Sequence, residues 1–235
     1  ARGFTGSQNI FEGRNGFCMS FSDKYHLSRI TSNLGGEYEI MRTSMKPYSC
    51  CRYNHAAIDG LTAIMARHGL SPADIAAIRI QIYHAAVVSR HHRAVPFTLF
   101  DAQMSIPFSL AVAALEGGVG HREFHEGLIH SRPHQEFASR VTVEVDDAMT
   151  AQFPGEWPTR TVVTTTDGHT FECHVPHTKG EPEAFMSDAE IDRKFMDLAT
   201  LCVPQARASA VIEEVRGLEK APDLSRLMAL LRADR

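Results

Sequence analysis

Apolar residues recur along the chain with two periods, and the switches between them divide it. Between Asn54 and Gly69, the residues Ala57, Ile58, Leu61, Ile64 and Met65 fall three or four apart, the spacing of a helix with one buried face. Asn54 is read as its N-cap and Gly69 as its stop. Ser71-Pro72-Ala73-Asp74 opens a turn. Ile78, Ile80 and Ile82 then alternate with Arg79 and Gln81, which predicts a half-buried strand over 77–83. Pro107 suits the first turn of a helix running to about Glu116, closed by Gly117-Gly118. The apolar run from Ile106 to Leu115 makes that helix a buried one. Val141, Val143 and Val145 alternate in a second strand, and residues 160–166 and 169–175 flank Asp167-Gly168, a type I′ hairpin signal.

The ends read differently. Gly3, Gly6, Gly13 and Gly16 punctuate short apolar stretches before Phe17-Cys18-Met19-Ser20-Phe21, a loop and short helix that end at Gly35-Gly36. Residues 37–46 read as a short strand or extended connector. Ser187-Asp188-Ala189-Glu190 is a capping box, and Ile191, Phe195 and Leu198 follow it at helical spacing. Helical patterns over 206–218 and 223–233 close the chain. The order predicts an α+β class: helical residues 1–36, an α+β segment over 37–178 and helices over 179–235, an order that permits the two ends to pack together with the middle as an inserted lid. No internal repeat or low-complexity tract interrupts it.

Hydrophobic residues make up 43% and charged residues 22%, the balance of a soluble globular protein. A formal charge of −4 and a pI near 6.4 disfavour nucleic acid as a partner. No apolar run approaches the ~20 residues that span a bilayer. Cys18, Cys50, Cys51, Cys173 and Cys202 are odd in number and irregular in spacing, and no secretory signal precedes them. They argue against a disulfide framework and for a reducing cytoplasm. The opening, Ala1-Arg2-Gly3-Phe4-Thr5-Gly6, reads as the interior of a longer protein.

The densest polar constellation is Lys46-Pro47-Tyr48-Ser49-Cys50-Cys51-Arg52-Tyr53-Asn54-His55, directly before the first well-signalled helix. The unpaired N–H groups and partial positive charge of a helix N-terminus suit a carboxylate. Lys46 can pair with a carboxylate, or exchange a proton if burial lowers its pKa. The helix dipole favours neutral His55, which can then accept a proton. The competing reading is a turn whose cysteines and tyrosines pack inward and whose cations are solvated. No metal is expected, because adjacent cysteines lack the spacing of zinc ligands. Arg90, His91, His92 and Arg93 form a basic loop cluster, His121 and His125 read as surface residues, and His169, His174 and His177 lie on or after the hairpin. There is no phosphate-binding glycine loop and no nucleophile elbow.

Four blocks carry a family resemblance. They are Gly3-Phe4-Thr5-Gly6 with Phe11-Glu12-Gly13 and Gly16-Phe17; Lys46 to Asp59; Ala102 to Ala113; and Lys179-Gly180-Glu181-Pro182-Glu183 with Met186-Ser187-Asp188 and Lys194-Phe195. In this order they resemble the C-terminal half of the MmgE/PrpD family, which includes 2-methylcitrate dehydratase, cis-aconitate decarboxylase and iminodisuccinate epimerase. The resemblance implies a larger all-helical domain to which residues 1–36 and 179–235 belong, with a site between it and the lid. It implies a lyase or isomerase that needs no cofactor and acts on a small polycarboxylate. Lys46, His55 and Cys51 would be catalytic, with Cys51 where some relatives have histidine; Tyr48, Arg52 and Gln103 would bind substrate. Ser49 stands where many relatives carry proline, and Cys51 is a weaker acid–base group than histidine.

Two functions follow as expectations. One is the lid half of such an enzyme, completed by an N-terminal helical half from the same gene product or a partner subunit, and homo-oligomeric. The other is a non-catalytic carboxylate-binding or assembly module. Residues 1–34 and 187–235 are too small to build a large core alone and should present apolar surface.

Overall fold

The computed structural model describes residues 3, 5–88 and 93–232, so Arg90, His91 and His92 lie outside the described residues. Two compact units emerge, Ala1–Thr43 and Ser44–Arg235.

The first unit is built of turns. Short helical turns form at Phe17–Phe21 and Ser28–Thr31. The segment read as a strand or connector instead contains a 3₁₀ turn, Glu39–Arg42, with extended backbone on either side. Gly13 and Gly16 are required locally, since an added Cβ would meet Asn9 O at 2.6 Å and Ile10 O at 2.8 Å. Among its described residues Gly16 alone is buried, and Phe21, Leu34, Ile40 and Met41 are all more than 70% exposed. The expected apolar surface is present.

The second unit begins its regular structure with α1, Arg52–His68. Its apolar stripe buries Ala57, Ile58, Leu61 and Ile64 as the spacing requires, and Gly69 closes it in the left-handed region at φ 64°. Its start differs from the reading: Cys51, not Asn54, is the N-cap. Asn54 lies inside the first turn and points inward, its Nδ2 donating to Gln103 O at 3.0 Å and Ser109 Oγ at 2.8 Å.

Strand β1, Ile75–Ile82, starts two residues earlier than alternation suggests. A register shift between Ile75 and Ala77 inserts one residue, so Ile75 and Ile78 are both buried. The short helix α2, Leu99–Met104, ends at Ser105, whose hydroxyl caps α3, Ile106–Glu116. Nine residues of α3 are buried, the helix read as internal from its apolar run despite Pro107 and Ser109. Helix α4, Arg132–Ala138, leads into β2, Val141–Val145, which pairs parallel to β1. Parallel pairing demands a long crossover, and residues 83–140 supply it.

Strands β3, Thr159–Thr165, and β4, Thr170–Val175, complete the order β2-β1-β3-β4, both pairing antiparallel. Their turn is not type I′. Gly168 alone has positive φ, at 89°, while Thr165 O accepts from Gly168 N at 3.0 Å and Thr165 N donates to His169 O at 2.9 Å. That is a three-residue loop closed by a left-handed glycine. Helix α1 lies against β3 and β4 and touches α3, which also packs on α4 and β2. Gly60 permits the approach: a Cβ there would meet Thr161 Oγ1 at 2.5 Å. Helices α5, Asp188–Ala199, α6, Gln205–Arg216, and α7, Ser225–Leu230, follow. The capping box of Ser187 and Glu190 is formed as read. The class is thus α+β, and among the described residues no helix is long and apolar enough to cross a membrane.

Candidate active site

The stretch 44–51 has no helical or strand hydrogen bonding of its own, so neighbouring elements supply its partners. Met45 N–H donates to Gly180 O at 2.7 Å, Ser49 N–H to Val119 O at 2.8 Å, and Cys51 N–H to Gln103 O at 2.8 Å. Gln103 Nε2 donates back to Ser49 O at 3.0 Å. Gly180, at φ 90°, lies so close that an added Cβ would stand 1.8 Å from Met45 O. The glycine of the Lys179-Gly180-Glu181-Pro182 block is there for that approach.

Four of the six expected site residues meet. Lys46, Tyr48, Cys51 and Gln103 line one shallow hollow of about 270 Å³, with Ser49, Cys50 and Met104. It opens beside the N-terminus of α1, where the first N–H groups of a 17-residue helix carry partial positive charge. Lys46 Nζ reaches Cys50 O at 3.4 Å, leaving donors for a ligand. The Tyr48 hydroxyl donates a hydrogen bond to Asp59 Oδ1 at 2.5 Å, and Asp59 Oδ2 accepts Lys179 N–H at 2.9 Å. Burial first, and then the Asp59 charge, raise the Tyr48 phenol above its ordinary pKa. Burial likewise raises the Asp59 carboxyl, against the two hydrogen bonds it accepts. Burial pushes the Cys50 thiol up to about 12, despite hydrogen bonds with Ser109 and Asn54.

His55 and Arg52 stand apart from the hollow. His55 is 0% exposed and lies behind it, edge-on to Tyr48 with ring centroids 5.1 Å apart. Its Nε2 is 3.3 Å from Cys50 O, which can only accept, so the proton sits on Nε2 and Nδ1 is left buried without a partner. Burial, followed by the charges of Arg52, Lys46 and Lys194, lowers its pKa to about 3, and the ring is neutral. Arg52 is engaged by Glu181, and its guanidinium lies 5.5 Å from the Trp157 ring centroid.

Asp59, Glu181 and Lys194 surround this stretch and were not singled out from sequence, although each falls within a block that carries the resemblance. Lys194 Nζ donates to Lys46 O. A second hollow, of about 350 Å³, shares Tyr48 and Ser49 and is walled by Val119, Lys179, Glu190 and Lys194.

Elsewhere, His121, His125, His169 and His174 are exposed. Arg93 lies 4.8 Å from the Phe97 ring centroid. Among the described residues His177, Glu181 and Glu183 bring potential metal-ligand atoms within 4.8 Å of one another. The Arg52 charge already held by Glu181 opposes a cation there. No curated protein matches the chain significantly. Residues 48–220 match the family model described as the MmgE/PrpD C-terminal domain, and Lys46 lies two residues before that span.

Proposed function

The chain belongs to the MmgE/PrpD family, and on that premise we propose that it forms the lid part of a cofactor-free lyase or isomerase acting on a small di- or tricarboxylate. The hollow shared by Lys46, Tyr48, Cys51 and Gln103 at the N-terminus of α1 carries the reading. An ammonium and a helix N-terminus converging on one hollow neutralise a carboxylate. They stabilise the charge that develops on it when a proton leaves the neighbouring carbon. Lys46 binds that carboxylate or transfers the proton. Cys51 is a second acid–base group at the rim, and Tyr48 and Gln103 orient the substrate. His55 serves through Cys50, whose carbonyl it holds, and Arg52 through its pairing with Glu181.

The remainder of the site comes from a larger all-helical domain, in the same gene product or a partner subunit, within a cytoplasmic homo-oligomer. The exposed apolar side chains of residues 10–41 are in keeping with such a covering partner. The test is to assay the chain alone and with its helical N-terminal half on 2-methylcitrate and cis-aconitate. Activity should need both halves and should be lost in Lys46→Ala. Full activity in that variant would overturn the site.

One observation favours a second reading, a carboxylate-binding module without catalysis: His55 is fully enclosed behind the hollow. Saturable binding of citrate that depends on Lys46, with no turnover in the completed assembly, would establish it.

A further inference from the structure

The residues of the hollow sit on a stretch with no regular structure, so the precision of Lys46 depends on what grips that stretch. Most grips fall on its neighbours: Met45 on Gly180, Ser49 on Val119 and Gln103, Cys50 on His55, Cys51 on Gln103. The peptide of Lys46 itself is held by a charged side chain from a distant helix, Lys194 of α5, whose ammonium donates to Lys46 O. Lys194 is half-buried, and among the described residues no carboxylate forms an ion pair with it. Neighbouring Lys179, by contrast, pairs with Glu190. A lysine needed only to dock α5 would be expected to find a carboxylate. This one donates a hydrogen bond to a neutral carbonyl and stands in the wall of the second hollow, beside Tyr48 and in company with Glu190 and Asp197.

We propose that Lys194 is a positioning residue for Lys46, fixing the peptide from which its side chain springs and adding a positive charge, held in no ion pair among the described residues, that draws an anionic ligand to the site. The second part rests on the carboxylate-binding role proposed above; the first does not. The hydrogen bond spans α5 and the stretch before α1, so it also makes the geometry of Lys46 depend on the seating of the C-terminal helices.

The test compares Lys194→Met, which keeps the stem and loses donor and charge, with Lys194→Arg, which keeps both. Amide exchange is followed at Met45, Ser49 and Cys51 and at the core amides of Ile78 and Ile80. Citrate is the binding probe, with Lys46→Ala as control. In Lys194→Met, exchange at Met45 should speed about tenfold, the loss of one hydrogen bond to a charged donor, with Ile78 and Ile80 unchanged. Citrate should bind about tenfold more weakly, and Lys194→Arg should restore both. Unchanged exchange at Met45, or acceleration of the core amides by the same factor, overturns the positioning role. If Lys194→Met does not fold, Lys194→Leu, which also lacks donor and charge, takes its place under the same criteria. Citrate binding unaffected by Lys46→Ala would instead sink the functional reading, while exchange at Met45 still decides the role of Lys194.

Discussion

Arg52 and Glu181, 129 residues apart in sequence, form an ion pair in which the side chains are 16% and 12% exposed. The pair ties the first turn of α1 to the segment that leads into α5, and both residues flank the Lys46 stretch. Removing one partner strands the other charge. Arg52→Ala should therefore cost about 3 kcal/mol, and the double variant with Glu181→Gln should cost less than the two singles summed. A urea-denaturation cycle measures the coupling. Simple additivity would show the pair to be energetically idle.

Acid stability should carry the signature of His55. Its pKa falls from an ordinary 6.5 to about 3 on folding. Between those values the unfolded chain takes up a proton that the folded chain refuses. The stability present above pH 6.5 is therefore lost as pH falls towards 3, with a slope of at most about 1.4 kcal/mol per pH unit from this group. In His55→Gln, whose amide can still donate to Cys50 O, that slope should shrink by about one proton equivalent. Identical slopes in the two proteins would mean that His55 titrates in the folded state.

Gly60 should be intolerant of a methyl group for a reason that can be relieved from across the interface. Gly60→Ala drives Cβ against Thr161 on β3 and should cost about 1–3 kcal/mol. Thr161 Oγ1 is buried without a partner, so deleting it forfeits little. Thr161→Ala in the same chain removes the contact at 2.5 Å but keeps the Thr161 Cβ at 2.9 Å, so it should recover only part of the loss. No recovery in thermal melts would place the strain elsewhere.

The adjacent thiols should differ in reactivity. Cys50 is buried with its ionisation pushed up to about 12, whereas Cys51 is half-buried and lines the hollow. Since the thiolate is the nucleophile, iodoacetamide should label Cys51 in the folded protein and Cys50 only on unfolding. Peptide mapping that found Cys50 modified first would reverse their placement.

The limits of reading the sequence are visible at single residues. Asn54 looked like a cap because its residue type favours that role, yet the helix starts two residues earlier and turns Asn54 inward, where its Nδ2 meets Gln103 and Ser109. Asp167-Gly168 looked like a two-residue turn. The loop took three residues, with Gly168 alone in the left-handed region. The start of β1 was hidden by a bulge that breaks alternation. The capping box at Ser187 and the stops at Gly69 and Gly117 were legible because their partners lie within one turn.

By itself, then, the sequence determined the α+β class, most elements and the stretch that carries Lys46, Tyr48 and Cys51. Periodicity, capping and glycine conformation act over a few residues, and a family motif is contiguous. Tertiary structure alone decided that Lys46, Tyr48, Cys51 and Gln103 share a hollow while His55 sits behind it. It also decided that Arg52 belongs to Glu181 and that Lys194 holds the Lys46 carbonyl. Those relationships join residues from about fifty to more than a hundred positions apart, and only the packing of α1, α2 and α5 around one unstructured stretch brings them within hydrogen-bonding distance.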